Sequence, residues 1–133
     1  MPYIWVVPGV TRAGGVCSSP VDLMSVYPTL CSVCKISSPS NLEGLDITPL
    51  LKDPASKWSH PAITTFHRNN HALRTDRWRY IRYADGGEEL YDHNNDEYEW
   101  KNLAKEPAYA DLKKELAKSF PKVNKPELPR KKE

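Results

Sequence analysis

Between Thr65 and His71 the chain (TFHRNNH) sets two imidazoles, one guanidinium and two carboxamides side by side. Arg68 brings a planar fork that pairs anions through two parallel hydrogen bonds. The segment falls between two expected strands, in a loop, where binding residues concentrate. A plainer reading stands beside this one: Asn69 and Asn70 suit the awkward dihedrals of a polar turn, and histidine is a common surface residue.

Other groupings point to other chemistries, each less well. Cys31-x-x-Cys34 with His60, His67 and His71 downstream has part of a zinc pattern. A second Cys pair is absent, and the two cysteines sit on an apolar helical repeat, where Cys packs as a small hydrophobe. No neighbouring cation or redox-type context activates either thiol. Arg74, Arg77, Arg79 and Arg82 interleave with Trp78, Tyr80 and Tyr83 like a nucleic-acid stripe. Strand alternation splits them: Trp78, Tyr80 and Arg82 share one face while Arg79 points to the other, as in a solvated sheet with aromatic packing. Asp85, Glu88, Glu89 and Asp92 flank a tight turn and read as turn chemistry. No nucleophile with its own base and orienting group is legible, so no catalytic residue is assigned, and no metal ligand either.

The elements that must position these groups are expected as follows. Tyr3 to Val7 is a short apolar run closed by Pro8-Gly9 and suits a strand covered on both faces. Asp22 to Cys34 repeats Leu23, Val26, Leu30 and Val33 at helical spacing, with Ser19 or Asp22 as cap and Pro28 expected to kink or split it. Thr48-Pro49-Leu50-Leu51 forms a further helical turn. After Pro61 the period changes to strands at Ala62 to Phe66, His71 to Thr75, Trp78 to Tyr83 and Glu89 to Tyr91, with Asp85-Gly86-Gly87 as a hairpin turn. Asp96 with Glu99 three residues on predicts a capping box and a helix start. Pro107 to Phe120 predicts a helix whose stripe is Tyr109, Leu112, Leu116 and Phe120.

The totals exclude several classes. A chain of 133 residues holds about one domain's worth of core. Its net charge of +2 gives no global pull toward nucleic acid or membrane. Three cysteines cannot all pair within the chain. No apolar run approaches the ~20 residues that span a bilayer. Met1-Pro2-Tyr3-Ile4-Trp5 has neither the basic region nor the long apolar run of a signal peptide, and a strand this close to a start is expected of a chain that continues something larger.

In order and spacing these features resemble the C-terminal portion of the sulfatase family, the bacterial iduronate-2-sulfatase-like branch in particular. The resemblance rests on Ile4 to Gly9 (IWVVPG), Val21-Asp22-Leu23 with Tyr27-Pro28-Thr29-Leu30, Leu42-Glu43-Gly44 with Pro49-Leu50-Leu51, His71 to Tyr80 (HALRTDRWRY), Glu89-Leu90-Tyr91-Asp92 and Asn102-Leu103-Ala104. Each piece is weak alone; together they cover residues 3 to 104. Asp96-Glu97 departs from the family's usual Asp-Pro, and Cys31 to Lys35 from its Leu-Asp-Leu-Ala-Gly-like segment, both at structural positions.

The resemblance implies an α+β fold: a small antiparallel sheet packed by a C-terminal helix, plus a strand and helix left over from an alkaline-phosphatase-like α/β domain. It divides the chain into residues 1–60, a remnant of the catalytic domain, 61–120, the antiparallel-sheet subdomain, and 121–133, a tail too polar and proline-rich to order. It implies a sulfuric ester hydrolase acting on sulfated sugars, in which this portion shapes the substrate pocket through His67, Arg68, Asn70 and His71. The family's formylglycine arises in a Cys/Ser-x-Pro-x-Arg motif, which these residues lack. Formylglycine and calcium are therefore expected only in the full-length parent, the missing N-terminal catalytic part is the expected partner, and the parent is expected to be exported or periplasmic. The alternative is a stand-alone module for anionic polysaccharide or nucleic acid, built on Arg68, Arg74 and Trp78. Either way an isolated chain is expected to expose an apolar surface at Ile4, Trp5, Val6, Leu23 and Leu30.

Overall fold

Each strand expected after Pro61 forms. In the computed structural model, which describes residues 2–126, β1 (Ala62–Thr65), β2 (His71–Arg74), β3 (Trp78–Arg82) and β4 (Glu88–Asp92) make an antiparallel sheet in the order β1-β2-β3-β4. The register sets Leu73 opposite Tyr80 and Tyr80 opposite Leu90. Residues directly opposite share a face, so these three build one buried row. Gly86, at φ +89°, supplies the left-handed step of the β3–β4 turn, which the Tyr83 N–H closes on the Gly87 carbonyl at 2.8 Å.

The row is closed by the C-terminal helix. A 3-10 turn (Pro107–Tyr109) leads into α3 (Ala110–Ala117). Its expected stripe of Tyr109, Leu112, Leu116 and Phe120 packs on Leu73, Tyr80 and Leu90, with Leu103 and Ala104 completing the core. Full burial of side chains such as Leu73 and Leu90 contributes about 1.5–3 kcal/mol each. The outer edge of β4 is also covered: the Leu90 N–H donates to Asn102 Oδ1 at 3.1 Å, and the Leu103 N–H to the Leu90 carbonyl at 2.8 Å. An edge strand left open invites pairing with other chains, and Asn102-Leu103-Ala104 prevents that here.

The helix expected to start at Asp96 does not form; residues 93–104 are turns. Asp96 does cap backbone N–H groups, those of Trp100 at 3.0 Å and Lys101 at 2.8 Å. Glu99, however, does not return to the Asp96 backbone as a capping box requires. Its carboxylate is taken by Arg79 and His93, and its own φ is +59°, which ends any helix at once.

The chain forms two compact units, Met1–His60 and Pro61–Glu133. In the first, residues 3–7 run with alternating exposure but carry no sheet pairing. The expected strand does not form: no strand lies in this unit among the described residues. The Asp22 to Cys34 helix is shorter than expected: a 3-10 turn (Leu23–Ser25) precedes α1 (Val26–Val33). Starting at Val26 puts Pro28 in the first turn, where its missing N–H is not needed. Thr29, Cys31 and Pro28 face inward; the Thr29 hydroxyl accepts the Ile47 N–H at 3.0 Å and ties α1 to α2 (Thr48–Lys52). At Gly44 an added Cβ would lie 1.9 Å from the Met24 carbonyl oxygen, so only glycine fits that approach. Leu23, Tyr27 and Leu30 instead point to solvent with Ile4 and Val6, while Trp5 is half-buried against Tyr3. Of the tail expected over 121–133, residues 121–126 carry no helix or strand, and 127–133 lie outside the described residues.

Candidate functional site

The TFHRNNH segment is the β1–β2 hairpin loop. The Phe66 N–H closes it on the Asn70 carbonyl at 3.0 Å. Within it His67 and Asn69 both take left-handed backbone angles, φ +56° and +64°. Asparagine accepts that conformation readily, whereas for histidine it costs about 1–2 kcal/mol. Such departures persist where the surroundings hold them, and here Asn70 does the holding. Its Nδ2 donates to the Arg68 carbonyl at 3.1 Å, and its Oδ1 accepts the Ala84 N–H at 3.1 Å. The loop is thereby fastened to the β3–β4 turn at the same end of the sheet.

The four candidate residues divide by location. His67 and Arg68 are exposed at the loop tip. The Phe66 ring stands edge-on to His67, centroids 4.0 Å apart, so an apolar ring, an imidazole and a guanidinium occupy consecutive positions. Arg68 meets no carboxylate among the described residues. Asn70 is half-buried scaffolding. His71 lies in the core at 1% exposure, because it shares the face of Leu73 two residues on. Its Nδ1 shares a 2.9 Å hydrogen bond with Thr65 Oγ1, its ring tilts against Phe120 at 5.4 Å, and its enclosed Nε2 has no hydrogen-bond partner among the described residues.

The four arginines in and beside β2 and β3 are committed. Arg74 turns back on the Thr75 carbonyl at 2.8 Å. Arg77 grips both oxygens of Asp92 at 2.8 Å and lies over the Trp78 ring. Arg79 holds Glu99 at 2.9 and 3.0 Å on the open face of the sheet, and Arg82 covers Phe120 on the packed face. The two glutamates of β4 are equally engaged. Glu89 accepts the hydroxyls of Tyr83 and Tyr91, each at 2.9 Å. Glu88 accepts Tyr80 and, at 2.5 Å, the Lys113 ammonium.

These engagements fix the charge states. The hydrogen bond from Arg77 holds the Asp92 carboxyl well below its ordinary range against the opposing effect of burial. Burial alone would raise Glu88, but Lys113 and Tyr80 overcome it and lower the group. Burial, then the bond to Glu89, pushes the Tyr91 phenol up to about 12. Carboxylates so held stay ionised and Tyr91 stays protonated near neutral pH, which suits clamps and not proton transfer.

Among the described residues no group of three or more His, Cys, Asp or Glu could hold a metal ion. Cys31 is buried and Cys34 exposed on α1. No helix among the described residues is long and apolar enough to cross a membrane. Sequence reasoning did not single out Phe66, although its place beside His67 in a loop marks an apolar residue with no core to enter. Nor did it place His71 in the core, although the spacing His71–Leu73 carries that signal.

A family model described as N-sulphoglucosamine sulphohydrolase, C-terminal, matches residues 1–126. A sulfatase from Formosa agariphila is 34% identical over 106 residues, covering 80% of this chain and 21% of that protein. A delta 4,5-hexuronate-2-O-sulfatase from Bacteroides thetaiotaomicron is 32% identical over 127 residues, covering 84% of this chain and 26% of its own length. Among solved structures, that of a 2-O GAG sulfatase superposes with a TM-score of 0.58 at 33% identity, over 68% of this chain and 22% of the other. The chain thus spans between 21% and 26% of the length of these two curated relatives.

Proposed function

The chain belongs to the sulfatase family as a C-terminal portion of it, and on that premise we propose that it shapes the sulfated-sugar pocket of a sulfuric ester hydrolase without hydrolysing the ester alone. The observation that carries the proposal is Arg68: a guanidinium held out on a fastened loop, with no carboxylate to neutralise it among the described residues. A sulfate or uronate oxygen pair fits its fork. His67 adds a hydrogen-bonding ring beside it. Asn70 and His71 act from behind, Asn70 through Ala84 and His71 through Thr65, keeping the loop and the end of β1 in place.

Bond cleavage is assigned to the rest of a sulfatase fold. There a formylglycine would supply the nucleophile and a calcium ion the charge neutralisation. The residues described here do not fit a calcium site, which takes six to eight oxygen ligands. Exposed Ile4, Val6, Leu23, Tyr27 and Leu30 support a further role for the first unit, as a surface that the catalytic part covers. The independent-module reading draws less support: Arg74 is folded onto a backbone carbonyl, and Trp78 packs on Tyr109 beneath Arg77.

Sulfate release from a 2-O-sulfated uronide disaccharide tests the proposal. The 133-residue chain alone is expected to give none. A sulfatase in which this chain follows a Cys-x-Pro-x-Arg-bearing portion is expected to turn over, and Arg68→Ala there to raise KM about tenfold with kcat little changed. Turnover by the pure chain, or an Arg68→Ala enzyme with unaltered KM, overturns it.

A further inference from the structure

Two aromatic rings stand outside everything described so far. Tyr98 and Trp100 are 71% and 86% exposed. Their rings stack on each other, with centroids 5.5 Å apart and planes at 23°, and neither belongs to the core cluster. Large aromatics left in water contribute no burial, and a pair of them on a surface marks a contact site.

The turn that carries them is built to present them. Glu99, between the rings, sits at φ +59°, and that left-handed step lets residues 98 and 100 stack side by side. Arg79 reaches both Glu99 oxygens, at 2.9 and 3.0 Å, and His93 Nε2 lies 2.7 Å from one of them. Asp96 fixes the following backbone through the N–H groups of Trp100 and Lys101. The strained residue is therefore pinned from the sheet, and the rings are ordered before any ligand arrives, which removes part of the entropy cost of binding.

We propose that Tyr98 and Trp100 form a carbohydrate platform that binds a sugar ring through its apolar C–H face, independently of sulfate. The chemistry matches on three counts. Stacked on each other, the rings each keep one electron-rich outer face for polarised C–H groups, while the phenol and the indole N–H offer polar tips to hydroxyls. Two rings supply at most about 500 Å², short of the roughly 800 Å² per partner of a stable protein interface. The proposal also rests on the reading of the chain as part of a glycan-acting sulfatase, which supplies the ligand class.

The platform and the recognition loop sit at opposite ends of the sheet. The β1–β2 loop is tied to the β3–β4 turn, whereas residues 93–100 follow the far end of β4, where the His93 N–H meets the Arg77 carbonyl at 2.8 Å. A five-residue strand separates the ends by about 17 Å. A ligand that touched both would be an oligosaccharide, not a single sugar.

Calorimetric titration of the full 133-residue chain with a glycosaminoglycan tetrasaccharide, in sulfated and fully desulfated forms, tests this. Trp100→Ala is expected to weaken both forms roughly tenfold and Trp100→Phe to retain most of the affinity. Arg68→Ala is expected to weaken only the sulfated form. No binding of either form by the unaltered chain, or a Trp100→Ala chain within about twofold of it on the desulfated form, overturns the platform. If Trp100→Ala matters and Arg68→Ala does not, the platform stands and the assignment of the loop falls. Tyr98→Ala is the second variant: it leaves the Asp96 cap untouched, so an effect shared with Trp100→Ala does not arise from loss of the turn.

Discussion

The two units bury their apolar side chains to different degrees. In Pro61–Glu133 the row Leu73, Tyr80, Leu90 is closed by Phe120 and the α3 stripe, and every strand pairs with its neighbour in sequence. In Met1–His60 the buried apolar set is Cys31, Ile47 and Leu50, while Ile4, Val6, Val16, Leu23, Tyr27 and Leu30 are exposed. The contrast has a topological cause. A meander needs only short loops to satisfy each strand, so its core is assembled from local contacts. Residues 3–7 carry no sheet pairing among the described residues of their unit, and the helix after them leaves Tyr27 and Leu30 exposed on the face opposite the one it buries. The first unit therefore leaves much of its apolar set on the surface.

The largest test of this contrast is truncation of one leucine in each unit. Leu90→Ala, at a fully buried site, is expected to cost about 3 kcal/mol, through lost transfer energy and the cavity left behind. Leu30→Ala is expected to cost less than about 1 kcal/mol, since Leu30 is 45% exposed. Urea unfolding measures both. Equal costs would mean that Leu30 is covered in solution. Lysine at positions 4, 23 and 30 sharpens the same point: hydrophobic-dye binding should drop while the unfolding midpoint holds.

Next in size is the clamp that ties the residue before β3 to the last residue of β4. Arg77→Ala removes both bonds to the buried Asp92 carboxylate, an expected loss of about 2 kcal/mol. The pH dependence has a definite sign. Asp92 and Glu88 are depressed in the folded state, so their contribution is complete above about pH 4 and is lost as the pH falls below it. Tyr91 is raised to about 12, so its contribution holds up to its ordinary value near 10 and is lost between about 10 and 12. Arg77→Ala should flatten the acid limb and leave the alkaline limb unchanged; an unchanged acid limb removes Asp92 as its source.

What could be read from residues alone follows the same division. The four strands, the Gly86 turn and the α3 stripe were legible because periodicity and turn chemistry are local and the structure satisfies them locally. The helix start at Asp96 was not, since a partner twenty residues away, Arg79, takes the glutamate that a capping box needs. Pro28 was legible as a problem but not in its solution, which depends on the α-helix starting only at Val26, two residues before the proline. At the loop, the residue types were visible and their fates were not: alternation places His71 under Phe120, and only the fold shows Asn70 reaching Ala84.

A smaller effect is expected where α3 meets the sheet. Lys113 bridges Glu88 and the Ala104 carbonyl, at 2.5 and 2.7 Å. Lys113→Met keeps the aliphatic stem and leaves Glu88 with only Tyr80. The expected loss is about 1–2 kcal/mol, and Glu88 should then titrate at higher pH, which carboxylate NMR shifts report. An unmoved Glu88 would mean that Tyr80 and Arg82 alone hold it ionised.

The smallest stability effects should fall in the β1–β2 loop. Asn70→Ala removes two hydrogen bonds that hold His67 in its unfavoured backbone state, so about 1 kcal/mol should be lost. Arg68→Ala, at an exposed cation with no carboxylate beside it among the described residues, should change stability by less than about 0.5 kcal/mol. If Arg68 serves anion recognition, its removal must weaken binding of a sulfated ligand far more than it disturbs folding, while Asn70→Ala must do both. A loop in which both substitutions altered stability alike, and neither altered binding, would be only a turn.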